Sequence, residues 1–202
     1  MAKERMLREF AKKRDLMREQ LAHQTAKLMA EDGITDHGVA KRKAARQLGA
    51  ADTRHMPSNQ EIDEALNSYR ALFQRERHPV NLRRLREEAL ESMFMLQSFR
   101  PYLTGSVLKG IAGEQSDINL IIYSDDAKAL LLFLLKHGIP FEEGMWKELV
   151  AGQQRTVPSY TIIGEYGTKI HIAVLPSNAQ YSGNRKPDTH ADINTLKMLL
   201  SA

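Results

Sequence analysis

The hydrophobic period of this chain changes once, at Pro101, and that change constrains the fold more than any other feature. Before it, apolar residues recur at helical spacings; after it, they alternate as half-buried strands do. The 202-residue chain therefore reads as α+β, an amino-terminal α-helical region followed by a mixed sheet flanked by helices. The expected division is 1–80 for the helical region and 81–202 for the sheet domain.

In the first part, Met6, Phe10, Met17, Leu21 and Leu28 form a narrow apolar stripe on a charged helix ending near Gly33. Asp36 is placed to cap a short helix through Val39, Ala44 and Leu48, which carries Lys41, Arg42, Lys43 and Arg46. Ser58 and Glu61 have capping-box spacing ahead of Ile62, Leu66, Tyr69 and Phe73. His78 and Pro79 are expected to break that helix, and the next turns Leu82, Leu85, Ala89, Met93 and Leu96 to the core.

Beyond Pro101, strands are expected at Tyr102 to Leu103, Ile118 to Tyr123, Thr161 to Glu165 and Lys169 to Leu175. A helix from Asp126 to His137 lies between strands, Glu165 to Thr168 reads as a hairpin turn, and Asp188 to Leu200 as a capped closing helix. Trp146 and the Leu130 to Leu135 run are expected to fill the core, and Tyr181 to Pro187 has the composition of a loop placed to lie over a ligand.

Charge and cysteine content narrow the function classes. With no cysteine, disulfide frameworks and thiolate metal sites are excluded. Met1 to Asp15 is of mixed charge, and the apolar run Ala129 to Leu135 is too short to span a bilayer, so the expectation is a cytoplasmic chain with no membrane partner. Of the net charge of +4, the first hundred residues supply 20 Lys and Arg against 15 Asp and Glu, and the remainder 9 against 10. That asymmetry leaves room for RNA on the basic helices, although a solvated helical surface has the same composition. The narrow stripe of the first helix equally suits a protein partner or a homodimer.

The chemistry concentrates in residues 101 to 123. Gly105 allows a tight turn, and Ser106 offers a hydroxyl beside backbone N–H groups suited to phosphate. Lys109, three residues beyond Ser106, comes within reach of a phosphate. Asp117 and Asn119 are two apart on a strand and share a face. The stretch is similar to the nucleotidyltransferase superfamily, which includes DNA polymerase beta and the bacterial minimal nucleotidyltransferases. There a Gly-Ser turn is followed about ten residues later by an acid-x-acid pair on the next strand, with a third acid on a neighbouring strand. Gly105, Ser106 and Asp117 match, with Ser116-Asp117-Ile118-Asn119-Leu120-Ile121-Ile122 supplying the framing. The resemblance covers 85 to 176.

The resemblance implies Asp117, Asn119 and His171 as catalytic positions, Gly105, Ser106 and Lys109 as nucleotide-binding positions, and Asp117 as ligand to Mg2+. Where the superfamily has its second and third acids this chain has Asn119 and His171, two negative charges fewer. Two functions follow. An active protein would transfer a nucleoside monophosphate from a nucleoside triphosphate to an acceptor; the alternative is a catalytically inactive module of the same fold that binds nucleotide, RNA or a protein partner. His171 is also placed to approach Asp117 across the sheet, and Asn119 to bond the Gly105 turn.

Overall fold

A computed structural model describes residues 2–50, 56–150, 153–181 and 189–201. The chain divides into two compact units, Met1–Pro79 and Val80–Ala202. The fold is α+β, with helices first and a five-stranded mixed sheet after them.

The first unit is built from α1 (Ala2–Glu31), α2 (His37–Gln47) and α3 (Asn59–Phe73). Leu21 and Leu28 of α1 pack on Ala44 and Ala45 of α2, with Met17 at the edge. The side chains of Met6 and Phe10 lie outside the described residues. The buried face of α2 consists of Ala40, Ala44 and Ala45, whereas Val39 and Leu48 are exposed; alanine lets the helices approach closely enough to exclude the larger neighbours. Phe73 is likewise 70% exposed, against expectation: it is the last residue of α3 and rests on Tyr69. Within the basic cluster of α2, Lys41 donates to Asn59 and Lys43 pairs with Asp32. Two of its four cations are therefore engaged locally.

Both ends predicted from capping chemistry form. Asp36 accepts from Val39 N–H, and Ser58 and Glu61 complete a reciprocal capping box. Glu61 also accepts from Arg18 of α1 at 2.7 Å. The Arg18 guanidinium first, and the Ser58 hydroxyl and N–H next, hold its carboxyl at about 2, below the ordinary 4.5. A depressed carboxylate stabilises the fold above the unfolded value, and that contribution disappears as pH falls from 4.5 toward 2. The pair is well exposed, so solvent screening keeps its contribution small. Glu61→Gln is expected to lower stability slightly at neutral pH and to flatten the acid limb in that window, measured by urea unfolding at a series of pH values.

His78 and Pro79 begin the next helix and do not break the last one. α3 ends at Phe73, and α4 runs Arg77–Met95 with Pro79 in its first turn, where no intrahelical N–H is required.

In the second unit the sheet order is β1 (Tyr102–Thr104), β2 (Ile118–Tyr123), β5 (Lys169–Leu175), β4 (Gln153–Ile163) and β3 (Glu142–Val150). β2 and β5 are parallel and the other pairs antiparallel. β3 was not anticipated and β4 is longer than expected. Glu142 to Val150 lacks apolar alternation because it is a solvated edge strand, with Met145 65% exposed. Pro158 stands one residue before the β4–β5 pairing starts at Ser159, where its missing N–H costs the ladder little.

One sheet face is covered by α4, α5 (Gly105–Lys109), α6 (Ala127–Lys136) and α7 (Ile193–Ser201). Leu85, Ala89 and Met93 of α4 meet Ile118, Leu120 and Ile122 of β2 and Ile170 and Ile172 of β5 there. Within the Leu130 to Leu135 run only Leu130 and Leu134 are buried; Leu132 and Leu135 are exposed, since α6 has one side on the sheet. Trp146 is half-buried, packing instead on a smaller cluster across the opposite face that includes Ile121, Val157 and Ala173. α7 begins at Ile193, with Asp192 accepting from Thr195 N–H as its cap; Asp188 and the loop 182–187 lie outside the described residues. The turn between β4 and β5 is closed by Gly164 N–H to Thr168 O and Gly167 N–H to Gly164 O.

Candidate functional site

The face opposite the helices carries a polar row across the whole sheet. Glu142 pairs with Thr161, Thr161 with His171, His171 with Asn119, and Asn119 with Thr104. Side chains alternate along a strand, so these five stand on one face at one level. Each strand thus contributes one polar group near the same end.

The turn that enters the row is built by β1 and α5. Gly105 has φ +76°, a conformation that side chains resist, and a Cβ there would lie 2.9 Å from Asn119 Nδ2. The Asn119 amide is therefore packed directly against the turn, as its sequence position suggested. Arg86 of α4 donates to the Val107 and Leu108 carbonyls and holds α5 in place, and burial lowers its pKa. Ser106 lies half-buried on α5, and Lys109 is exposed at its last residue. Gly113 N–H donates to Ser116 Oγ at 2.8 Å, closing the loop that delivers Asp117 to the start of β2.

At the centre of the row three side chains form a chain. His171 Nε2 lies 3.1 Å from Asp117 Oδ2, and His171 Nδ1 lies 2.9 Å from Thr161 Oγ1. A carboxylate accepts only, so the proton sits on Nε2 and Thr161 donates its hydroxyl to Nδ1. The side chains of His171 and Asp117 are 27% and 44% exposed, open to solutes. Among the described residues, no group of three or more His, Asp or Glu could hold a metal ion.

The structure thus brings Asp117, Asn119 and His171 together at the start of β2 and β5, with Gly105 against Asn119. Thr161, Thr104 and Glu142 were missed. Thr161 was legible as a strand residue, but its role follows from the β4–β5 register, which local sequence does not contain.

No family model matches the chain, and no curated protein matches it. Among solved structures, the chain is similar to one described as "Structural Basis for the Activity of a Cytoplasmic RNA Terminal U-transferase", with 22% identity and a TM-score of 0.31. The likeness covers 56% of this chain and 31% of that one. Among the described residues no helix is long and apolar enough to cross a membrane.

The donor set does not fit a pair of magnesium ions. Magnesium takes hard, charged oxygens; Asn119 is neutral, His171 offers nitrogen, and the carboxylate of Asp117 is already bonded to that ring. With Asp117 the one carboxylate beside His171 and Asn119, too little negative charge is gathered there to hold two divalent cations.

Proposed function

We propose that the second unit is a nucleotidyltransferase-like module that binds a nucleoside phosphate and does not transfer it. The observation that carries this reading is the hydrogen bond from His171 to Asp117, which occupies the one carboxylate left of the three that the resemblance implies. The reading is supported by the Gly105–Ser106 turn, where a positive φ at Gly105 lets the backbone turn tightly beside Asn119. What is gone is the clustered negative charge that transition-state stabilisation through two metals requires.

The two readings predict opposite signs for one substitution. In a metal-dependent transferase, Asp117→Asn removes nucleotide binding along with metal. In a module without a metal pair, Asp117 is an uncompensated negative charge near the phosphates, so its removal tightens binding several-fold. Calorimetric titration with nucleoside triphosphates in chelator should show binding by the native chain and tighter binding by Asp117→Asn. With magnesium or manganese and labelled nucleotide, incorporation into any acceptor should be absent. Incorporation that Asp117→Asn abolishes would establish the transferase instead.

A further inference from the structure

The face that carries the polar row becomes aromatic as it runs away from the Gly105–Ser106 turn. Tyr102 shares that face with Thr104 by strand alternation and pairs with Ile121, and Tyr123 follows two residues further along β2. His190 joins them from the segment that borders β1. There Leu103 and Ala191 exchange both backbone hydrogen bonds, and Thr104 Oγ1 donates to Thr189 O. Tyr102 meets Tyr123 at 5.8 Å and His190 at 6.4 Å, both edge to face, and Tyr123 lies 6.4 Å from His190.

These rings are held in place from several sides. His190 is contacted at both ring nitrogens, by Thr189 Oγ1 at 2.9 Å and by the Tyr123 hydroxyl at 3.4 Å, and Gln180 Nε2 donates to the Tyr102 hydroxyl at 3.4 Å. All three residues are nevertheless only half-buried, so the supported rings still reach solvent. A fixed, partly open group of aromatic rings is what a planar π ligand requires. The group contains no carboxylate and no ammonium, which suits a neutral plane such as a nucleobase. Position supplies the link to the phosphates. Tyr102 stands three residues before Gly105, about 10 Å along an extended strand, comparable to the reach from the base of a nucleotide to its outer phosphates. We infer that Tyr102, Tyr123 and His190 receive the base of a nucleoside phosphate whose phosphates lie at the Gly105–Ser106 turn. The inference rests on the nucleotide-binding reading and adds that the ligand is recognised by its base as well as by its charge.

The test compares, on the full chain in chelator, calorimetric titrations with the four ribonucleoside triphosphates and with inorganic tripolyphosphate. At least one nucleotide should bind about 10-fold or more tightly than tripolyphosphate. Tyr102→Leu and Tyr123→Leu should each reduce that preference at least about 5-fold and leave tripolyphosphate affinity unchanged. Tyr102→Phe keeps the ring and should keep the preference. Far-ultraviolet circular dichroism checks that each variant is folded, and His190→Leu, outside the strands, gives the same readout should a strand variant fail to fold. Equal affinity for nucleotides and tripolyphosphate in the native chain, or a preference that survives in the folded leucine variants, would overturn the inference. Failure of tripolyphosphate alone to bind would count against the phosphate turn and leave the base site to be judged by the leucine variants, whereas failure of every ligand would remove both.

Discussion

The double substitution Asn119→Asp and His171→Asp should raise magnesium or manganese affinity by at least about 100-fold, measured calorimetrically with nucleoside triphosphate present. The two positions face each other across β2 and β5, and Asp117 reaches His171 from the residue just before β2. Aspartate at 119 is isosteric with asparagine and keeps the contact with Gly105. Aspartate at 171 removes the ring that bonds Asp117, so three carboxylates gather at one end of two parallel strands. Their mutual repulsion, which costs stability without a cation, becomes the driving force for binding one. Unchanged magnesium affinity in the folded double variant would mean that the backbone no longer presents these positions to a common ion.

Gly164→Ala should destabilise the chain by about 2–4 kcal/mol, read as a lower urea midpoint with unchanged slope. A Cβ at this position would lie 2.1 Å from Glu88 Oε1. The Glu88 side chain reaches from α4 into the β4–β5 turn and is 2% exposed. It accepts from Thr168 Oγ1 at 2.7 Å, from Tyr166 N–H at 3.2 Å and from Arg84 at 3.4 Å. An exposed carboxylate would swing aside, but this one is buried, and moving it breaks its bonds to Thr168, Tyr166 and Arg84 together. Shortening the side chain relieves the clash, so Glu88→Asp should cost less in the Gly164→Ala background than in the native chain, a coupling visible in a double-mutant cycle. Additive effects would show that the turn moves as a whole and that Glu88 does not anchor it.

Local chemistry was legible wherever neighbours in sequence satisfy each other. The caps at Asp36 and at Ser58 with Glu61, the turn at Glu165 to Thr168, and strands β2 and β5 all follow from spacings within a few residues. Gly105 was recognisable as a turn, and its second requirement, room for the Asn119 amide, appears only once β1 and β2 pair. β3 was not legible because an exposed edge strand needs no apolar alternation; its partner β4 supplies the hydrogen bonds. Pro79 misled because proline tolerates a first helical turn as readily as it stops a last one.

By itself the sequence determined the two classes of structure, their change at Pro101, and a Gly-Ser turn followed by an acid on a strand with one amide in its frame. Only the tertiary structure decided what that acid does. Asp117 and His171 are 54 positions apart, and they meet because β5 inserts parallel to β2 in the register that sets His171 beside Asn119. Register is set by which faces of five strands can be buried together against α4 to α7, a property of the assembled core and not of any single segment. For that reason Asn119, His171 and the approach of His171 to Asp117 could be read along the chain, while the Thr161 hydroxyl that completes the carboxylate–imidazole–hydroxyl arrangement could not.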